Sequence, residues 1–213
     1  MNKLGPRFEI IISELVPCKT FADVGCDHGY VANEMLSRGK CEHSYITDVS
    51  ALCLDKAIAL LSKNHEGSFT PIVTDGLKGV PAVDQVLIAG MGGELICSII
   101  QNADYLPKRL VLQPMKNPEK VREVAIKLGY KLIKDYTFKD IKFYNLIVCE
   151  RGEDSYTKDE LTFGRDNLRL KGEAFKEQIS KKITKLKSAL DGMNEDDKSN
   201  VEEQIKKLTE IIE

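Results

Sequence analysis

Asp23-Val24-Gly25-Cys26-Asp27-His28-Gly29 stands where a short apolar run, Thr20-Phe21-Ala22, gives way to a helical pattern over 30–38. Two glycines four apart predict a turn in which backbone comes close to a ligand. The start of the following helix offers free N–H groups and a partial positive charge, which suit a carboxylate. A dinucleotide site wants G-x-G-x-x-G and room for a pyrophosphate. The spacing here is G-x-x-x-G, and Asp27 lies where the phosphates would pass, so NAD or FAD is disfavoured at this loop.

Outward from this loop the chain alternates strand and helix. Upstream, Phe8, Ile11, Ile12 and Leu15 predict an amphipathic helix over 5–16, ended by Pro17. Downstream, strands are predicted at 44–49, 69–74, 85–89 and 109–113. Helices fall over 51–63, N-capped by Ser50, then around Leu95–Ile100, then from Pro118 to Leu128. Two further extended runs, 131–137 and 143–150, read as an antiparallel hairpin added at the sheet edge. The alternation predicts an α/β domain with a mostly parallel sheet covered on both faces.

The strand ends carry the polar residues. Asp48 ends the second strand, Asp75-Gly76 the third, Gly90-Met91-Gly92-Gly93 the fourth and Gln113-Pro114-Met115 the fifth, with Lys116-Asn117 behind it. A strand-end acid can be a helix cap, but acids on three successive strands coincide with the edge where α/β sheets bind ligands. An acid after the second strand can accept from ribose hydroxyls, and one after the third from an adenine amine. With Asp23 or a nearby carbonyl available for an ammonium, the pattern suits S-adenosylmethionine.

Taken in order, Asp23–Tyr30, Asp75-Gly76-Leu77, Ile88–Gly93 and Leu112-Gln113-Pro114-Met115 resemble the bacterial tRNA (adenine-22, N1)-methyltransferase family, over about residues 4–150. The resemblance implies a Rossmann-like class I methyltransferase with a seven-stranded sheet, S-adenosyl-L-methionine as donor, tRNA as substrate and a helical C-terminal extension that helps hold it. It implies cofactor contacts at Asp23, Gly25, Cys26, Asp27, His28, Gly29, Asp48, Val49, Asp75, Gly76, Ala89, Gly90, Met91 and Gly92. Departures from the family pattern fall at Ala32-Asn33, where apolar residues and a proline are usual, and at Asp135, near the place of a glutamate.

Adenine N1 carries a lone pair in the neutral base, so the reaction needs alignment and exclusion of water more than a base. The catalytic candidates are Asp27, as a carboxylate near the cationic product, with Tyr30 and Met91; a backbone-capping role competes for Asp27. His28 reads as a packed or hydrogen-bonding neighbour, and Tyr30 or Tyr144 as a surface on which an extruded base can stack, against a buried role for either. Candidate RNA contacts are Arg7, Gln113, Pro114, Lys116, Arg165 and Arg169, with Lys3 and Lys171 as further cations.

The remaining composition is ordinary. The 213 residues are 42% hydrophobic and 30% charged, with net charge −2, so bulk charge announces no nucleic-acid binder. Neither a membrane span nor a secretory signal is read, which points to the cytoplasm, and a monomer or weak homodimer is expected. Six cysteines without a CxxC pair, and three histidines apart from them, predict buried thiols and no metal site. After Gly152 the pattern changes, giving domains of 1–152 and 153–213. Phe175, Ile179, Ile183, Leu186 and Leu190, then Val201, Ile205, Leu208 and Ile212, predict a coiled-coil hairpin of two helices turning at Gly192-Met193-Asn194, with Asn194 as N-cap. Residues 165–190 hold eight Lys or Arg against three acids, and 191–213 three against eight. Mutual pairing of the two helices accounts for this without a ligand; alternatively Lys181, Lys182, Lys185 and Lys187 face a polyanion. A methyltransferase for a small molecule or protein, and a non-catalytic scaffold, remain alternatives on sequence alone.

Overall fold

The structure is a computed structural model that describes residues 4–105, 107–190 and 195–213, the side chains of 195–197 excepted. Lys3 and the Gly192-Met193-Asn194 turn lie outside the described residues.

Seven strands form one sheet in the order β3-β2-β1-β4-β5-β7-β6. They are β1 (Cys18–Val24), β2 (Cys41–Asp48), β3 (Phe69–Val73), β4 (Gln85–Met91), β5 (Arg109–Pro114), β6 (Tyr130–Lys139) and β7 (Phe143–Arg151). The first five are parallel; β7 runs antiparallel to both β5 and β6. The expected hairpin is therefore present, but its second strand is inserted between β5 and β6, so β6 is the edge. Sequence does not distinguish the two arms, because both carry apolar residues that fit a half-buried strand.

Helices α1 (Pro6–Glu14), α2 (Tyr30–Ser37), α3 (Ala51–Leu61), α4 (Gly93–Gln101) and α5 (Pro118–Lys127) cover the sheet. The two-residue period of each strand feeds two cores. Phe21, Ile46 and Leu87 face Ile11, Ile12 and Met35 on one side, while Ala22, Val86 and Ile88 face Ile96, Ile100 and Val121 on the other. The first helix stops at Glu14, earlier than Pro17, because Leu15 is already extended.

Both sheet edges are blunted. Edge strand β3 carries Pro71, which cannot extend the ladder outward. Edge strand β6 gives its outward N–H groups to side chains: Leu132 to Asp154, Asp135 to Asp166 and Thr137 to Asn167, at 2.8–3.0 Å. Asp166 and Asn167 sit on α7 (Arg165–Leu170), which with α6 (Lys158–Phe163) precedes α8 (Glu173–Ala189) and α9 (Glu195–Ile212). Among the described residues the extension thus has four helices rather than two. The short pair was hidden from periodicity because each is only six residues long. A third apolar cluster buries Phe175, Ile179, Ile183 and Leu208 between α8 and α9, with Phe163 and Leu168 packed against it. Lys181, Lys182, Lys185 and Lys187 are exposed. Lys181 pairs with Glu177 of its own helix, and Lys207 of α9 with Asp159 of α6.

Candidate active site

A cavity of about 380 Å³ opens at the carboxyl edge of β1–β4. It is in the range of ligand pockets. The β1–α2 turn forms its floor. Gly25, Asp27 and Gly29 all have positive φ, at 67°, 49° and 69°. Gly25 cannot be replaced without cost: a Cβ there would stand 2.1 Å from Met91 Cε, in a left-handed backbone. Gly25 and Cys26 donate their N–H groups to the Thr47 carbonyl at 2.8 and 3.0 Å, which pins the turn to β2.

Asp23 lines the cavity at 5% exposure. Among the described residues its hydrogen-bond donor is the Ala32 N–H, 3.3 Å away in the first turn of α2. Burial without a cation pushes its carboxyl up to about 7. Asp48 is anchored differently: one oxygen accepts from Ser50 N–H at 2.9 Å and the other from Asp27 N–H at 3.4 Å. Asp75 is exposed on the wall, next to Gly76 and Thr74.

At the mouth, the His28 and Tyr30 rings stack at 5.4 Å and 18°, and Phe8 meets Tyr30 edge-on at 6.0 Å. Tyr30 is 41% exposed and so presents open aromatic surface beside the cavity. Asp27 projects there too, 3.8 Å from His28 Nε2. The cavity is roofed by α1 through Arg7, Phe8 and Ile11, and walled by Leu95 and Ile99 of α4. Arg7 is held from behind: its Nε and Nη2 donate to Gln113 Oε1 at 2.9 and 2.5 Å, and its guanidinium lies 5.1 Å over the Tyr144 ring.

The structure thus brings Arg7, Asp23, Gly25, Cys26, Asp27, His28, Tyr30, Asp48, Val49, Asp75, Gly76, Ala89, Gly90 and Met91 to one cavity. Other sequence candidates stand elsewhere. Gly29 allows α2 to pack on Ala57 and Leu61, and Gly92 caps α4. Gln113 and Pro114 are buried behind the roof, and the Lys116 carbonyl accepts from Gly93 N–H at 2.9 Å. Tyr144 is buried and stacked on Phe138, which leaves no face for a base. Arg165 is consumed by Asp154, Glu160 and the Tyr156 ring, because its helix must dock on β6; Arg169 is exposed and pairs with Asp166. Sequence reading missed Phe8, Ile11, Thr47, Leu95 and Ile99 as cavity walls. Phe8 and Ile11 were legible only as the apolar face of a helix.

With this geometry in hand, comparison with known proteins is decisive: the sequence model of the tRNA (adenine(22)-N(1))-methyltransferase family, TrmK, matches residues 21–213. The chain belongs to that family. It is 29% identical over 175 residues to the tRNA (adenine(22)-N(1))-methyltransferase of Bacillus subtilis, covering 78% of this chain and 73% of that one. A Mycoplasma pneumoniae relative is 35% identical over 103 residues, about half the length of each chain at 46% and 47%. In three dimensions the TrmK fold is shared with Sp1610 of Streptococcus pneumoniae, solved with S-adenosyl-L-methionine, at TM-score 0.88 and 22% identity over 99% of this chain and 100% of that one. TrmK of M. capricolum, solved with S-adenosyl-homocysteine, superposes at 0.86 and 21% identity over 98% and 97%.

Proposed function

We propose that this chain carries out its family's reaction, methyl transfer from S-adenosyl-L-methionine to N1 of adenine 22 in tRNA, in the cavity at the carboxyl edge of β1–β4. One observation carries the reading: acids from three successive strands and a left-handed glycine turn converge on one pocket. The pocket fits the donor. Asp23 is a buried carboxylate in want of a cation, and the donor's ammonium is one. The donor's carboxylate matches the first turn of α2, which has no side-chain cap. Asp48 is the acceptor for ribose hydroxyls and Asp75 for the adenine amine, while Cys26, Val49, Gly76, Ala89 and Gly90 shape the walls.

S-Adenosylmethionine supplies an electrophilic methyl group on a sulfonium. The protein's part is orientation and electrostatics. Tyr30, backed by His28 and Phe8, offers a stacking ledge for the acceptor base. Asp27 stands at the mouth, where its carboxylate favours the positive charge that develops on the adenine ring. Met91, against Gly25, narrows the space between donor and acceptor and helps exclude water. Arg7, fixed by Gln113, and Lys116 border the acceptor side; Arg165 and Arg169 are left with a supporting part in docking the extension. The chain acts as a monomer or weak homodimer in the cytoplasm, with residues 1–152 as the catalytic unit and 153–213 as the helical extension that helps hold RNA.

The test is transfer of labelled methyl groups to bulk tRNA, with the modified base mapped. Asp27→Ala should lower turnover more than donor affinity, and Asp48→Ala should lower affinity more than turnover. Donor binding without RNA methylation would favour a small-molecule or protein acceptor, and no donor binding would favour a scaffold.

A further inference from the structure

N1 lies on the Watson–Crick edge of adenine. In a base-paired adenine it is hydrogen-bonded inside the stack, so an enzyme that attacks it must first unpair the base. Proteins that open or kink nucleic acid helices commonly insert an apolar side chain between base steps and fix the strands with cations.

The three-residue turn Asp140-Ile141-Lys142 between β6 and β7 has this composition. Ile141 is 87% exposed, more than any other large hydrophobic side chain among the described residues. Turn positions favour polar residues, glycine and proline, and nothing in the local hydrogen bonding calls for isoleucine there. The turn is rigidly held: Asp140 N–H donates to the Lys142 carbonyl at 3.0 Å, and Arg7 N–H donates to Asp140 Oδ2 at 3.3 Å. Arg7 therefore touches the turn with its backbone while its side chain roofs the cavity.

The register places the turn beyond the rim. Leu112 of β5 faces Ile147 of β7, which carries Phe143 two positions past Pro114, roughly 7 Å at ~3.4 Å per residue. Lysines lie near it, outnumbering the acids Asp140 and Glu177. Lys142 is exposed, and Lys139 and Lys181 share the single carboxylate of Glu177 while flanking the Phe143 ring at 5.8 and 5.1 Å. An apolar point on a ribbon held at its turn, with three lysines against the carboxylates of Asp140 and Glu177 around it and on the acceptor side of the rim, fits a paired RNA helix.

We propose that Ile141 is a wedge that enters the base stack beside the target adenine and holds it open, with Lys142 on the neighbouring phosphate. This rests on the RNA-methylating reading above. It makes Ile141 a positioning residue whose work is needed only when the adenine is paired.

The experiment compares wild type, Ile141→Ala and Ile141→Leu on two tRNA transcripts. In one the target adenine is paired; in the other the facing nucleotide is changed so that it cannot pair. Ile141→Ala should lose about tenfold or more in kcat/KM on the paired transcript and stay within roughly twofold of wild type on the unpaired one. Ile141→Leu should retain most activity on both. With 2-aminopurine at the target position, wild type should raise the fluorescence on binding and Ile141→Ala should not. Equal loss on both transcripts, or loss on neither, overturns the wedge. Wild type methylating neither transcript, while still binding the donor, would remove the RNA reading itself and the wedge with it.

Discussion

Asp23 and Asp135 are both almost fully buried, at 5% and 1% exposure, yet they are met in opposite ways. Asp135 lies under a guanidinium: Arg122 Nε is 2.9 Å from both of its oxygens, and Arg165 N–H adds a second donor at 3.2 Å. Burial pushes the Asp135 carboxyl up, and Arg122 pulls it back. Arg122 in turn donates to the Leu161 carbonyl at 2.9 Å and to Asn145 Oδ1 at 3.2 Å, which joins α5, β6, β7 and α6. Asp23 has one long backbone hydrogen bond and a cavity. A satisfied buried charge holds architecture together, whereas an unsatisfied one beside a cavity is a candidate for a ligand's partner.

The largest expected effect breaks the satisfied site. Arg122→Ala leaves Asp135 buried without its cation, and should cost about 3–5 kcal/mol of stability, read as a fall in denaturation midpoint. An apolar double replacement, Arg122→Met with Asp135→Leu, should recover most of it, because both charges leave together. If the single variant melted like wild type, the network would not be what docks the C-terminal helices on β6.

Asp23→Asn should do the reverse. The neutral amide cannot balance an ammonium, so donor affinity should fall about 10–100-fold by calorimetry, the range of a hydrogen bond to a charged group. The unliganded variant should melt no lower than wild type at pH 8, since an uncompensated buried charge has been removed. A stability loss comparable to that of Arg122→Ala would erase the distinction between the two carboxylates.

That distinction was only half legible in the sequence. Asp23 and Gly25 could be read because the turn that lines the cavity is local: one strand end, one helix start, seven consecutive residues. Asp48, Asp75 and the glycines at Gly90 followed because parallel strands bring successive carboxyl ends to one edge. Arg122 and Asp135 sit on different elements, and their partner Asn145 and the Leu161 carbonyl on two more, so no spacing announces them. The partners of Arg165 were hidden for the same reason. A basic residue near a basic helix suggested RNA, but Asp154 and Glu160 become its partners only once the chain has folded back on β6. Arg7, read as an RNA contact, lines the cavity for a reason the sequence did not hold, the crossing of α1 over the sheet edge.

The smallest effect sharpens the comparison without a mutation. With its carboxyl near 7 in the unliganded protein, Asp23 is about one-tenth ionised at pH 6 and about nine-tenths at pH 8. The folded chain then keeps a proton that the unfolded chain has given up above its ordinary value of 3.8, so this group's contribution to stability is full below pH 4 and lost as pH rises through 7. Donor binding runs the other way, because the ammonium needs the ionised form. Affinity should improve about tenfold from pH 6 to pH 8. Calorimetry in buffers of different ionisation enthalpy should report release of nearly one proton per donor bound at pH 6 and almost none at pH 8. Asp135 lies outside the cavity, so in Asp23→Asn both the pH dependence and the proton release should vanish. Their survival in that variant would move the titrating group elsewhere and take Asp23 out of the donor site.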